Sequence, residues 1–184
     1  MNKKLAYGGI LVAVSVVLLY IAMLAPTGRL FLLALSSLPM AVLLLEFDLR
    51  TSLICYASTS LLFLIVSGNV RGVFAFILFF GIYPIVKSYI ETGVRKIFME
   101  YLLKLVFFNI VLIVLVFIYS ALGLPLVEII NSFKIPVSYI NISAELRNSV
   151  LIIIVWFIAQ IVFLIYDYAY SLMIRYYMDK IRKI

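Results

Sequence analysis

From Ile97 to Leu122 the chain reads IFMEYLLKLVFFNIVLIVLVFIYSAL. Beyond Lys104 this run carries no charge, and about 18 or more such residues mark a helix that crosses a hydrocarbon core roughly 30 Å thick. A backbone in that medium must satisfy its own hydrogen bonds, which a helix does within one segment.

Working outward from this segment, apolar runs of similar character cover 5–23, 30–45, 51–66, 73–90 and 150–170. The intervals between them hold Pro, Gly or charged residues, the usual stop signals. The expected fold is all-α: a polytopic integral membrane protein, a six-helix transmembrane bundle forming one domain over residues 1–184. Composition agrees. The chain is 67% hydrophobic and 12% charged, against roughly 45–50% and 25% in soluble domains.

The first run, behind Lys3 and Lys4, resembles a signal peptide, but its length and the Pro26 that follows Ala25 read as a retained span. Runs 30–45 and 51–66 are short, reaching about 24 Å each at 1.5 Å per residue. An alternative folds residues 30–66 into a re-entrant hairpin with the tip Glu46-Phe47-Asp48-Leu49-Arg50 inside the protein.

With six spans, one membrane side collects Lys3, Lys4, Arg50, Lys87, Arg95, Lys96, Arg175, Lys180, Arg182 and Lys183. The other collects Arg29, Arg71, Lys134 and Arg147, and Lys104 stays within a span. The positive-inside bias then places both termini in the cytoplasm of a multi-pass plasma-membrane protein. The formal net charge of +7 needs no nucleic acid, since no basic run interleaved with aromatics stands apart from the spans.

The chain has no histidine and one cysteine, Cys55, which reads as a small packing residue. That removes imidazole-based nucleophile pairs and histidine-ligated metal sites. Neither a metal nor a cofactor is expected. An intramembrane enzyme would have to use Glu46, Asp48, Glu100, Lys104 or Asp167, and the expected reading is that the chain is no enzyme.

Ionisable groups within spans are functional hypotheses by default. Glu100 and Lys104 lie about 6 and 12 Å into the fifth span by helical rise, and Lys87 and Asp167 fall near the same depth. The four form one layer that pairs or snorkels. Glu91 with Arg95, Lys96 with Glu100 and Glu100 with Lys104 are i, i+4 pairs that predict continuous helix from Glu91, a charged bend that reads either as a solvated helix end or as a docking surface for a partner. Deeper, Asn109 and Gln160 stand at similar depth on consecutive helices and predict an interhelical amide pair, the alternative being that either faces a polar cavity.

On the outer side the long connection 124–149 mixes apolar and polar residues, among them Tyr139, Glu145 and Arg147, with apolar positions at helical spacing over 125–134. It reads either as a lid over an outward cavity or as a surface connector. Two short outer loops each add an arginine: Arg29 after Pro26-Thr27-Gly28, and Arg71 after Gly68-Asn69-Val70. Arginine in an apolar mouth suits a carboxylate or phosphate. On the first helix Gly9 and Ala13 stand one turn apart with Gly8 adjacent, a spacing that lets helices approach closely.

Six spans, inward termini, Gly9-Ile10-Leu11-Val12-Ala13, the Leu38-Pro39 step and Gly81-Ile82-Tyr83-Pro84 together make the chain resemble the substrate-binding S component of energy-coupling-factor (ECF) vitamin transporters. That family usually has alanine where Gly9 sits. The resemblance implies uptake of a vitamin-like small molecule from outside. Arg29, Asn69, Arg71, Tyr119, Tyr139, Glu145, Arg147 and Trp156 are the ligand-binding candidates, and Gly9 and Ala13 would dock a transmembrane coupling subunit. Partner ATPases would supply the energy, in keeping with the absence of a G-x-x-x-x-G-K-[ST] loop. The alternative is a non-transporting scaffold or assembly subunit, resembling small rod-shape-determining membrane proteins.

Overall fold

A computed structural model of the chain describes residues 2–25, 27–68, 70–123 and 144–181. Among these it is helical throughout, without strands. The helices are α1 (Asn2–Leu24), α2 (Arg29–Leu35), α3 (Leu38–Glu46), α4 (Leu49–Val66), α5 (Val70–Ala75), α6 (Tyr83–Gly93), α7 (Ile97–Ala121) and α8 (Ala144–Tyr176), with π turns at Phe76–Phe80 and Tyr177–Ile181. Six helical stretches are long and apolar enough to cross a membrane: Lys3–Leu24, Arg29–Glu46, Leu49–Val66, Val70–Gly93, Ile97–Ala121 and Val150–Asp179. The protein is an all-α polytopic membrane protein, as its sequence leads one to expect. Its residues fall into two compact units, Met1–Val111 and Leu112–Ile184.

In the first unit α1 packs along α4 and also meets α2 and α3. Its buried positions are Gly8, Val12, Ser15, Leu19 and Ala22, an alternation of four and three residues. That is the 3.5-residue period of a seam between helices. Gly8 makes the close approach possible, since a Cβ there would lie 3.1 Å from Cys55 Sγ.

The second and third spans are each 18 residues, about half a turn longer than their apolar runs. Both ends of α1 show how far the α2–α3 leg reaches. Arg29 donates to the carbonyls of Ala22 (3.2 Å) and Met23 (3.3 Å), and Lys4 Nζ lies 2.9 Å from Asp48 Oδ2. The leg therefore runs the length of α1, and at the Lys4 end Glu46, Phe47 and Asp48 are half-buried while Leu49 and Arg50 are exposed.

Two spans are interrupted where proline removes a backbone donor and crowds the preceding turn. Between α2 and α3 the buried hydroxyls of Ser36 and Ser37 donate to the carbonyls of Leu33 (2.7 Å) and Ala34 (2.6 Å), just ahead of Pro39. From α4, Ser52 Oγ reaches the Met40 carbonyl at 3.0 Å. Ahead of Pro84 the helix widens into the π turn, closed by Gly81 N–H to Phe76 O at 2.7 Å. Tyr56 Oη donates to the Ile77 carbonyl in that turn at 2.7 Å, and its ring lies over Gly81. A Cβ on Gly81 would meet that ring at 2.7 Å.

Aromatic packing joins α7 to this region. Phe79 lies 5.5 Å from Phe108 and 5.4 Å from Tyr83, ring centre to ring centre. Between α6 and α7 the helix does not continue: Val94 is extended (φ −115°, ψ 122°), and residues 94–96 form a linker. This corrects the expectation of unbroken helix from Glu91.

The second unit holds the rest of α7 and α8. α8 extends past both ends of the expected 150–170 span, starting at Ala144 and ending at Tyr176. Its buried Phe163, Asp167 and Tyr170 share one face. The connection before Ala144, including the amphipathic stretch expected at 125–134, lies outside the described residues.

Candidate functional site

The most concentrated chemistry within the first unit is a charge cluster where α6 meets α7. Glu91 Oε1 receives both Lys87 Nζ, at 2.7 Å, and Lys104 Nζ, at 2.6 Å. Lys104 Nζ also reaches Glu100 Oε1 at 2.7 Å. Both lysines are buried, whereas the Glu91 and Glu100 side chains keep 38% and 22% exposure. The polarity of the arrangement follows from solvation. A buried ammonium without a counter-ion is expensive, so each lysine finds a carboxylate whose outer face stays wet.

Sequence reasoning places Lys87, Glu100 and Lys104 at one level, and the structure brings those three together. Asp167, the fourth member of that layer, is buried in the second unit. Of the pairs expected from i, i+4 spacing, Glu100 with Lys104 is present. With the helix broken at Val94, the spacing that would pair Glu91 with Arg95 is lost, whereas Lys96 stays in register with Glu100, whose N–H donates to the Lys96 carbonyl at 3.1 Å. Both carboxylates turn to the buried lysines instead. Spacing alone offered one signal for this, since Lys87 and Glu91 are also four residues apart.

The expected docking residues stand on α1. Gly9 and Ala13 lie on its exposed side, away from the seam, with Ile10 and Val14 beside them at 62% and 43% exposure. A Cβ on Gly9 would have nothing within 4 Å. Gly8 faces inward.

The ligand-binding candidates fall in both units. Arg29 is exposed, and its guanidinium caps the last carbonyls of α1. This is a helix-capping role that the sequence reading did not include. Arg71 is exposed in α5. Tyr119 is half-buried on α7, and Trp156 on α8 is 44% exposed with its ring 5.1 Å from that of Phe157. Arg29 and Arg71 belong to the first unit, Tyr119 and Trp156 to the second. Asn69 and Tyr139 lie outside the described residues. Glu145 and Arg147 fall in the first turns of α8, and their side chains lie outside the description. Asn109 Nδ2 donates to the Leu105 carbonyl of its own helix at 2.8 Å, and Gln160 is half-buried on α8.

Three features escaped sequence reasoning. Tyr56 with Gly81 forms the lock on the π turn. Asp48 caps α4 by accepting from Thr51 N–H at 2.7 Å while pairing with Lys4; an Asp before a helical run is a readable cap signal. Ser15 and Thr59 are buried on α1 and α4 with hydroxyls that have no hydrogen-bond partner among the described residues. No group of His, Cys, Asp and Glu among the described residues suits a metal ion.

Comparison of the chain with protein-family models, with curated proteins and with solved structures found no match.

Proposed function

We propose that the chain is a membrane-embedded subunit without chemistry of its own, which docks onto a transmembrane partner through the outward side of α1. By its resemblance to ECF S components, the partner is a coupling subunit with associated ATPases, and the cargo is a vitamin-like small molecule captured from outside. Both termini face the cytoplasm of the cell membrane. The observation that carries the reading is the position of Gly9 and Ala13: they stand on the side of α1 turned away from the seam, where small residues allow a second helix to come close.

Thermal unfolding of the purified chain across a vitamin panel, with extraction of any copurified small molecule, tests the cargo. Stabilisation by one compound is expected. Uniform indifference, with nothing copurified, would overturn the substrate-binding part.

One observation favours the scaffold alternative. Arg29, which would take an anionic cargo, is engaged with the carbonyls at the end of α1. A scaffold would copurify with a membrane partner yet ignore every vitamin.

A further inference from the structure

We propose that the linker between α6 and α7 anchors the protein to anionic phospholipid headgroups through Arg95 and Lys96. Both residues are exposed. Sequence spacing assigned them the carboxylates of Glu91 and Glu100, but those are held by Lys87 and Lys104 at 2.6–2.7 Å. The two cations on the linker keep no carboxylate partner among the described residues.

The surroundings fit a headgroup. One candidate membrane-spanning helix ends at Gly93 and the next begins at Ile97, so the linker falls at a membrane boundary. Tyr89, Ile97 and Phe98 flank it at 80%, 72% and 77% exposure. Amphipathic rings favour the headgroup level, and apolar side chains beside cations give a lipid both a phosphate contact and an acyl contact. A phosphate diester supplies the missing counter-charge. Zwitterionic lipid carries its own cation and gains less.

Native mass spectrometry of the full chain in neutral detergent, titrated with phosphatidylglycerol or phosphatidylcholine, tests the anchor. Each basic residue near an anionic surface contributes about fivefold, so R95Q/K96Q should weaken phosphatidylglycerol retention roughly 25-fold, toward the phosphatidylcholine level. The charge-conserving swap R95K/K96R should retain it, and R50Q, exposed in the first turn of α4, should leave it unchanged. Excess inorganic phosphate should not displace the lipid. Undiminished retention by R95Q/K96Q, an equal loss in R50Q, or displacement by phosphate would each overturn the proposal. It stands independently of the partner of α1 and of any cargo.

Discussion

Lys104 Nζ lies 2.6 Å from Glu91 Oε1, across the break that separates α6 from α7. The contact ties together two helices whose connecting linker has no helical continuity, and it does so with an acid that also serves Lys87. Glu91 is therefore the hub of the cluster, and Glu100 a second acceptor for one of its lysines.

That asymmetry orders the mutants. Glu91→Ala removes a carboxylate from both buried ammoniums at once and should cost about 2–4 kcal/mol, toward the range for breaking a buried pair after allowance for its wet face. Glu100→Ala should cost about 1 kcal/mol, since Lys104 keeps Glu91. Thermal unfolding in detergent checks the order, and equal losses would contradict it.

Gly81 is held without a side chain by the Tyr56 ring. Gly81→Ala must push that ring aside and break its bond to Ile77, for a loss of about 1–3 kcal/mol. Tyr56→Phe should lose only the hydrogen bond, about 1 kcal/mol. In the double mutant with Tyr56→Ala, the alanine at 81 should cost little more, a coupling that a double-mutant cycle reads directly.

Arg29→Ala should lower stability by about 0.3–1 kcal/mol with no ligand present, because a cation at the last carbonyls of α1 is lost. An unchanged melting temperature in the absence of ligand would return Arg29 to a purely ligand-binding role.

The bond from Thr51 and the ammonium of Lys4 hold the Asp48 carboxyl well below the usual carboxylate range. A depressed folded value means the unfolded state takes up the proton first as pH falls. The contribution of Asp48 is therefore fully present above its unfolded value near 3.9 and is lost as pH drops through the folded value. Asp48→Asn keeps a capping oxygen and removes the charge. The melting-temperature gap between wild type and D48N should stay constant from pH 5 to 8 and close below about pH 4.

The spans were legible because membrane crossing leaves a mark on every residue of a segment: Ile97–Ala121 announces itself by composition alone. The charged level was half legible, since helical rise places Lys87, Glu100 and Lys104 at one depth. The pair of Glu100 with Lys104 was legible from i, i+4 spacing, but the reach of Lys104 to Glu91 was not, because it crosses the extended backbone at Val94, and Gly93 before it signals a stop without giving direction. The Tyr56–Gly81 contact joins residues of different spans, and nothing local in either segment encodes it. Arg29 misled for a physical reason. An arginine beside a helix end serves carbonyls as readily as a bound anion, and residue type cannot distinguish them.

Docking through α1 is tested most directly by copurification of the chain with the coupling subunit of an ECF transporter from the same genome, comparing wild type with G9L/A13L. Nothing lies within 4 Å of a Cβ at Gly9, and Ala13 is exposed, so the variant should fold with an unchanged melting temperature. The expected result is that wild type retains the coupling subunit and G9L/A13L releases it. A wild-type chain that fails to hold the subunit, or a variant that holds it equally well, would contradict the account.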